Sequence, residues 1–228
     1  ERIFRAVMHF LWVNDIAPTS RDWELIAQLA DPGSDELREL LVRRCSDLLR
    51  HGGSFPEARV IEKILGFCTS TMRIDSHGFD HALRGVSEHF PGEVYCFFWS
   101  RCAVEGESED SEYAAVPLGV EGYPFDGILN NEQVAGLFET AGARLLNGPP
   151  LSVSEEKLLR ALLMRTDAPT DRILDWIELA STREQLKTLI DFSKNQSGWP
   201  FLLQNPEAAR AFLLKSRSVA GEEFHAET

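Results

Sequence analysis

Leu37, Leu40, Leu41, Cys45, Leu48 and Leu49 fall at offsets of 3, 4, 8, 11 and 12 residues from the first of them. That spacing lays one apolar stripe along an α-helix and leaves the other side polar. The pattern returns along the chain, each time behind a start signal. Gly52-Gly53 closes the first run, and Ser54-Phe55-Pro56-Glu57 has the form of a capping box with proline at the first helical position. It leads into Val60, Ile61, Ile64, Leu65 and Cys68. Ser152-Val153-Ser154-Glu155 precedes Leu158, Leu159, Leu162 and Leu163, and Thr170 precedes Ile173, Leu174 and Ile177. Ser181-Thr182-Arg183-Glu184 takes the capping-box form before Leu186, Leu189 and Ile190. Asn205-Pro206-Glu207 opens a last helix, with Phe212 and Leu213 expected to face inward. No alternation of period two competes with these stripes. The expected fold is all-α, a multi-helix bundle or a short α-solenoid of antiparallel helical hairpins, with roughly nine to eleven helices.

One segment resists periodicity. Glu93 to Val104 is apolar all round, which suits a buried helix or a buried strand equally. Helix is the expectation, because the chain offers no partner strands. A faint repeat accompanies the stripes. Asp22-Trp23-Glu24-Leu25-Ile26-Ala27 resembles Asp175-Trp176-Ile177-Glu178-Leu179-Ala180, and each leads on to a Pro-Glu-Ala, at Pro56 and Pro206. Stacked helix pairs of this period make solenoids, while ordinary capping chemistry in an irregular bundle would give the same matches.

Between the two helical regions the chain changes character. Residues 105–143 hold nine acids and no Lys or Arg, so most of the net charge of −13 lies there. Residues 105–112 have little to bury, whereas Val116-Pro117-Leu118 and Tyr123-Pro124-Phe125 could pack on helices. The expected organisation is an N-terminal helical lobe at 1–104, an acidic loop or connection at 105–130 and a C-terminal helical lobe at 131–228, with one continuous domain as the alternative.

The charge disfavours nucleic acid, which needs cations against its phosphates, and equally an anionic membrane surface. The longest apolar run, Val94 to Trp99, is too short to cross a bilayer. Four scattered cysteines do not make a disulfide scaffold, and no leader is visible. An intracellular, cytoplasmic setting is expected, with a secreted bacterial effector as the other possibility.

Chemical signatures are sparse. The phosphate-loop, dinucleotide, zincin, serine-hydrolase and Cys-x-x-Cys patterns are all missing. His77 and His81 stand at i, i+4 and share a helix face, as zinc ligands can, and Cys68 or His89 could add a third. Against this, Cys68 continues an apolar stripe, Asp75 or Ser76 looks like an N-cap, and Gly78 weakens the platform. Neither metal nor cofactor is expected. Cys45 lies on a core stripe. Cys102 follows Arg101, which could favour a thiolate paired with His89 or His81, though small apolar filler is the plainer role. Trp12, Trp99 and Trp199 could anchor a partner, and Glu107, Glu109, Asp110 and Glu112 could attract one with a basic surface. The expected function is a non-enzymatic protein–protein interaction module. The alternative is an enzyme or effector using Cys/His chemistry near residues 68–102.

Overall fold

The apolar stripes fold into helices. The computed structural model describes residues 2–13, 19–30, 35–50, 57–107, 113–163, 170–194 and 204–226. Among these are eleven α-helices and no strand: α1 (Arg2–Val13), α2 (Ser20–Ala30), α3 (Asp35–Arg50), α4 (Ala58–Phe67), α5 (His77–Ser87), α6 (Pro91–Glu107), α7 (Glu132–Asn147), α8 (Val153–Leu163), α9 (Thr170–Leu179), α10 (Arg183–Ser193) and α11 (Pro206–Ala226). The all-α class holds, and the ambiguous apolar segment is helix α6. The proposed cap at Ser54–Glu57 lies mostly outside the described residues; Glu57 is the N-cap of α4 and makes no side-chain cap bond. The chain divides into two compact units, Glu1–Phe125 and Asp126–Thr228.

In the first unit, α3 and α5 approach closely. Leu41, Val42, Cys45 and Leu49 of α3 are buried, as are Phe79, Leu83 and Val86 of α5. Gly85 permits the approach, because a Cβ there would stand 2.0 Å from Ser46 Oγ.

The second half of the mid-chain stretch belongs to this unit. Arg101, on α6, is fully buried. Its Nε donates to Ala115 O at 3.1 Å. Its Nη1 donates to Cys68 O at 2.8 Å and Thr69 O at 2.6 Å. Its Nη2 donates to Thr71 O and Ala114 O, both at 2.7 Å. All five N–H directions of the planar fork thus meet carbonyls. Among the described residues no carboxylate forms an ion pair with it. Its charge rests on carbonyl dipoles and on the Tyr113 ring, whose centroid is 4.4 Å from Cζ. Burial pulls its pKa below the ordinary value. The result joins α6, the turn after α4 and residues 113–115. Ala114 N–H adds a bond to Met72 O at 3.0 Å, and Tyr113 Oη donates to Thr69 O at 2.6 Å.

A second arginine fastens the rest. Arg84, on α5, donates from Nη1 to Gly122 O and from Nη2 to Gly119 O, each at 2.9 Å. It also pairs with Asp80 at 3.1 Å and lies 4.5 Å from the Tyr123 ring centroid. Tyr123 Oη donates to Asp80 Oδ1 at 2.8 Å. Phe125 then closes an aromatic cluster, 5.3 Å from Tyr95, 5.6 Å from Tyr123 and 6.5 Å from Phe98 between ring centroids.

In the second unit, Trp176 of α9 stacks on Phe138 of α7 at 4.4 Å. Gly142 makes room for it, since a Cβ there would come within 2.1 Å of the indole Nε1. The cap before α8 forms as its sequence suggests: Glu155 N–H donates to Ser152 Oγ, and Ser152 N–H to Glu155 Oε2. Arg144 also reaches Glu155 through two bonds, tying α7 to α8.

Two local expectations are corrected. The capping box before α10 is one residue later than expected, formed by Thr182 and Gln185 rather than by Ser181 and Glu184. The glutamine carbonyl accepts from the backbone as well as a carboxylate would. Leu213 does not face inward; it is 70% exposed. The inner line of α11 runs through Ala208 and Val219, with Phe212 half-buried on the same face. Leu213 lies about 100° round the helix from that line.

Candidate functional site

Six of the residues named as partner contacts have side chains outside the described residues. Glu109, Asp110, Glu112 and Trp199 lie outside the described residues. Glu107 ends α6, but its side chain is outside them too. So is the side chain of Trp12. Trp99 is half-buried, with its ring centroid 6.4 Å from that of Tyr95.

The Cys/His candidates do not converge. Cys68 is fully buried, and its thiol donates to Ile64 O of its own helix at 3.3 Å. Burial pushes its pKa, and that of Cys45, up to about 12, and the pKa of Cys96 to about 11. A thiol so placed is a poor nucleophile and a poor metal ligand, because both roles need the thiolate. Cys102 is buried and donates to Phe98 O. The Arg101 guanidinium, which could have favoured a thiolate there, is spent on backbone carbonyls. His77 and His81 do share a face, with rings parallel to within 7° and centroids 6.3 Å apart. Among the described residues no three His, Cys, Asp or Glu side chains stand together as a metal-holding group.

These histidines have other company. Arg50 Nη1 donates to His81 Nε2 at 3.4 Å. A depression of about 330 Å³ is lined by His77, Gly78, His81 and Ala82 of α5 and by Arg43, Ser46 and Asp47 of α3. Ser76 caps α5 and donates to Glu39 Oε2 at 3.3 Å, while Glu39 also pairs with Arg43 at 2.9 Å. Gly78 lets both approach: a Cβ there would meet the ends of the Arg43 and Glu39 side chains.

A second depression, of about 400 Å³, lies between α1 and α3. It is lined by Arg5, Met8 and His9 of α1 and by Leu40, Arg43, Arg44 and Asp47 of α3. Arg43 and Asp47 line both, so the two depressions adjoin across α3. Helix α1 buries Phe4 and Met8 on one side and presents Ile3, 70% exposed, and Phe10, 58% exposed, on the other. Ile3 and Phe10 stand seven residues apart and so share a face.

This face was missed in the sequence. The one available signal was Arg43-Arg44 followed by Arg50, a basic run on the polar side of the first stripe. Among the described residues, no helix is long and apolar enough to cross a membrane. Compared with known protein families, with curated proteins and with solved structures, the chain matches none.

Proposed function

We propose that the chain is a non-enzymatic protein-interaction module working through helix faces of its first unit. The observation that supports this most is α1, which anchors itself with Phe4 and Met8 and keeps Ile3 70% and Phe10 58% exposed beside a groove. Exposed apolar surface of this kind, rimmed by charge, marks binding sites. The acids at 105–112 give a partner with a basic surface a further point of attraction. Trp99 and Trp199 are further candidate anchors. The setting we propose is the cytoplasm, where thiols outside any disulfide are at home.

The test is affinity capture from source-cell extract with the immobilised protein, wild type against the Ile3→Glu/Phe10→Glu double variant. Wild type is expected to retain a discrete partner that the variant retains roughly tenfold less, a loss in the range of a single binding hot spot. Circular dichroism of the two proteins should match. Equal retention by both would contradict the reading.

A further inference from the structure

We infer that the groove shared by α1, α3 and α5 docks an acidic amphipathic segment of a partner protein; this deepens the interaction-module reading and rests on it. Its wider half has Met8 and Leu40 as apolar lining, with Arg5, Arg43 and Arg44 around them. Its other half carries His77 and His81, the latter held by Arg50. In a chain of net charge −13 the grouping of Arg5, Arg43 and Arg44 is local, and it marks where an acidic segment can approach.

The acids on this face are mostly committed. Glu36 pairs with Arg5 at 3.4 Å and Glu39 with Arg43 at 2.9 Å. Arg5 and Glu36 keep 50% and 80% of their side-chain exposure, and such surface bridges contribute little. An incoming carboxylate can therefore take the place of Glu36 at Arg5. Asp47 lies where the two halves meet and opposes a ligand that is acidic throughout. The fitting occupant places an apolar side chain toward Met8 and Leu40 and carboxylates toward the arginine rim. A helix carrying apolar anchors at helical spacing presents itself to a groove in that way. A small inorganic anion fits less well, because Glu39 already takes the Ser76 hydroxyl at the start of α5.

Fluorescence anisotropy with two dye-labelled synthetic peptides provides the test. Each has about four helical turns and leucine on one face; one carries glutamate elsewhere and the other lysine. The glutamate peptide is expected to bind at least about tenfold more tightly, and to weaken as salt rises past physiological strength. Arg43→Gln/Arg44→Gln should lower its affinity by roughly tenfold, and Leu40→Gln by a similar factor, with helicity and unfolding midpoint retained. Equal affinity for both peptides, tighter binding of the lysine peptide, or an unaffected Arg43→Gln/Arg44→Gln variant overturns the inference. Dissociation by the glutamate peptide of a dimer seen in sedimentation would overturn the choice of partner, making the occupant a second copy. If the peptide test fails while capture still depends on Ile3 and Phe10, only the groove assignment falls. If both fail, the module reading falls with it.

Discussion

Arg101→Lys is expected to destabilise the first unit by about 3 kcal/mol or more, although it conserves charge. An ammonium is a compact group with three donors, and it cannot span the five carbonyls that the guanidinium fork reaches. At least two carbonyls lose the guanidinium donor, at about 1–3 kcal/mol for each that has no other; Thr69 O keeps the Tyr113 hydroxyl and Cys68 O the Thr71 amide. Arg101→Ala removes all five bonds and opens a cavity. Its loss should approach the ~5–15 kcal/mol that holds a whole domain together, so the first unit should no longer unfold cooperatively. Urea denaturation followed by circular dichroism measures both. A loss under about 1 kcal/mol in the lysine variant would mean that water or rearrangement satisfies the carbonyls.

Phe125→Ala should cost about 3–5 kcal/mol, the range for emptying a buried aromatic site. Phe125 is 1% exposed and touches three other rings, so deletion leaves a void that Tyr95, Phe98 and Tyr123 cannot jointly close. Leu118, on the same segment, is 81% exposed. Leu118→Ala should shift stability by no more than about 0.5 kcal/mol. The same urea titration distinguishes them. Equal, small effects at both positions would show that the segment does not pack.

The helices were legible because one rule governs them: a stripe at helical spacing behind a capping residue. Leu158 to Leu163 and the Ser152–Glu155 box obey it without exception. It slipped by one residue at Thr182, where Gln185 served as well as Glu184, and by one position on α11, where neighbouring Phe212 and Leu213 face different ways. Burial of Phe125 could be read from its aromatic, proline-rich surroundings. What held it there could not be read. Arg101 sits in an apolar run, and nothing local says that its fork will find carbonyls contributed from 13 to 33 residues away. Such long-range polar satisfaction is set by tertiary geometry, not by spacing. The arginine and histidine groove was hidden for the same reason, since α1, α3 and α5 are brought together only by folding. The Cys/His chemistry considered around residues 68–102 rested on nearness in sequence, and burial of Cys68 and Cys102 took those thiols into the core.

Residues 113–125 are part of the fold of the first unit. Native-state hydrogen exchange at the Ala114 amide tests this most directly, because that N–H bonds Met72 O next to the Arg101 cluster. The expected result is exchange as slow as the core of α6, a protection of about 10⁴ or more, falling in step with global stability in Arg101→Lys. Exchange at Ala114 within about tenfold of an unfolded chain, while α6 stays protected, would contradict it and make the segment a connection that merely lies against the helices.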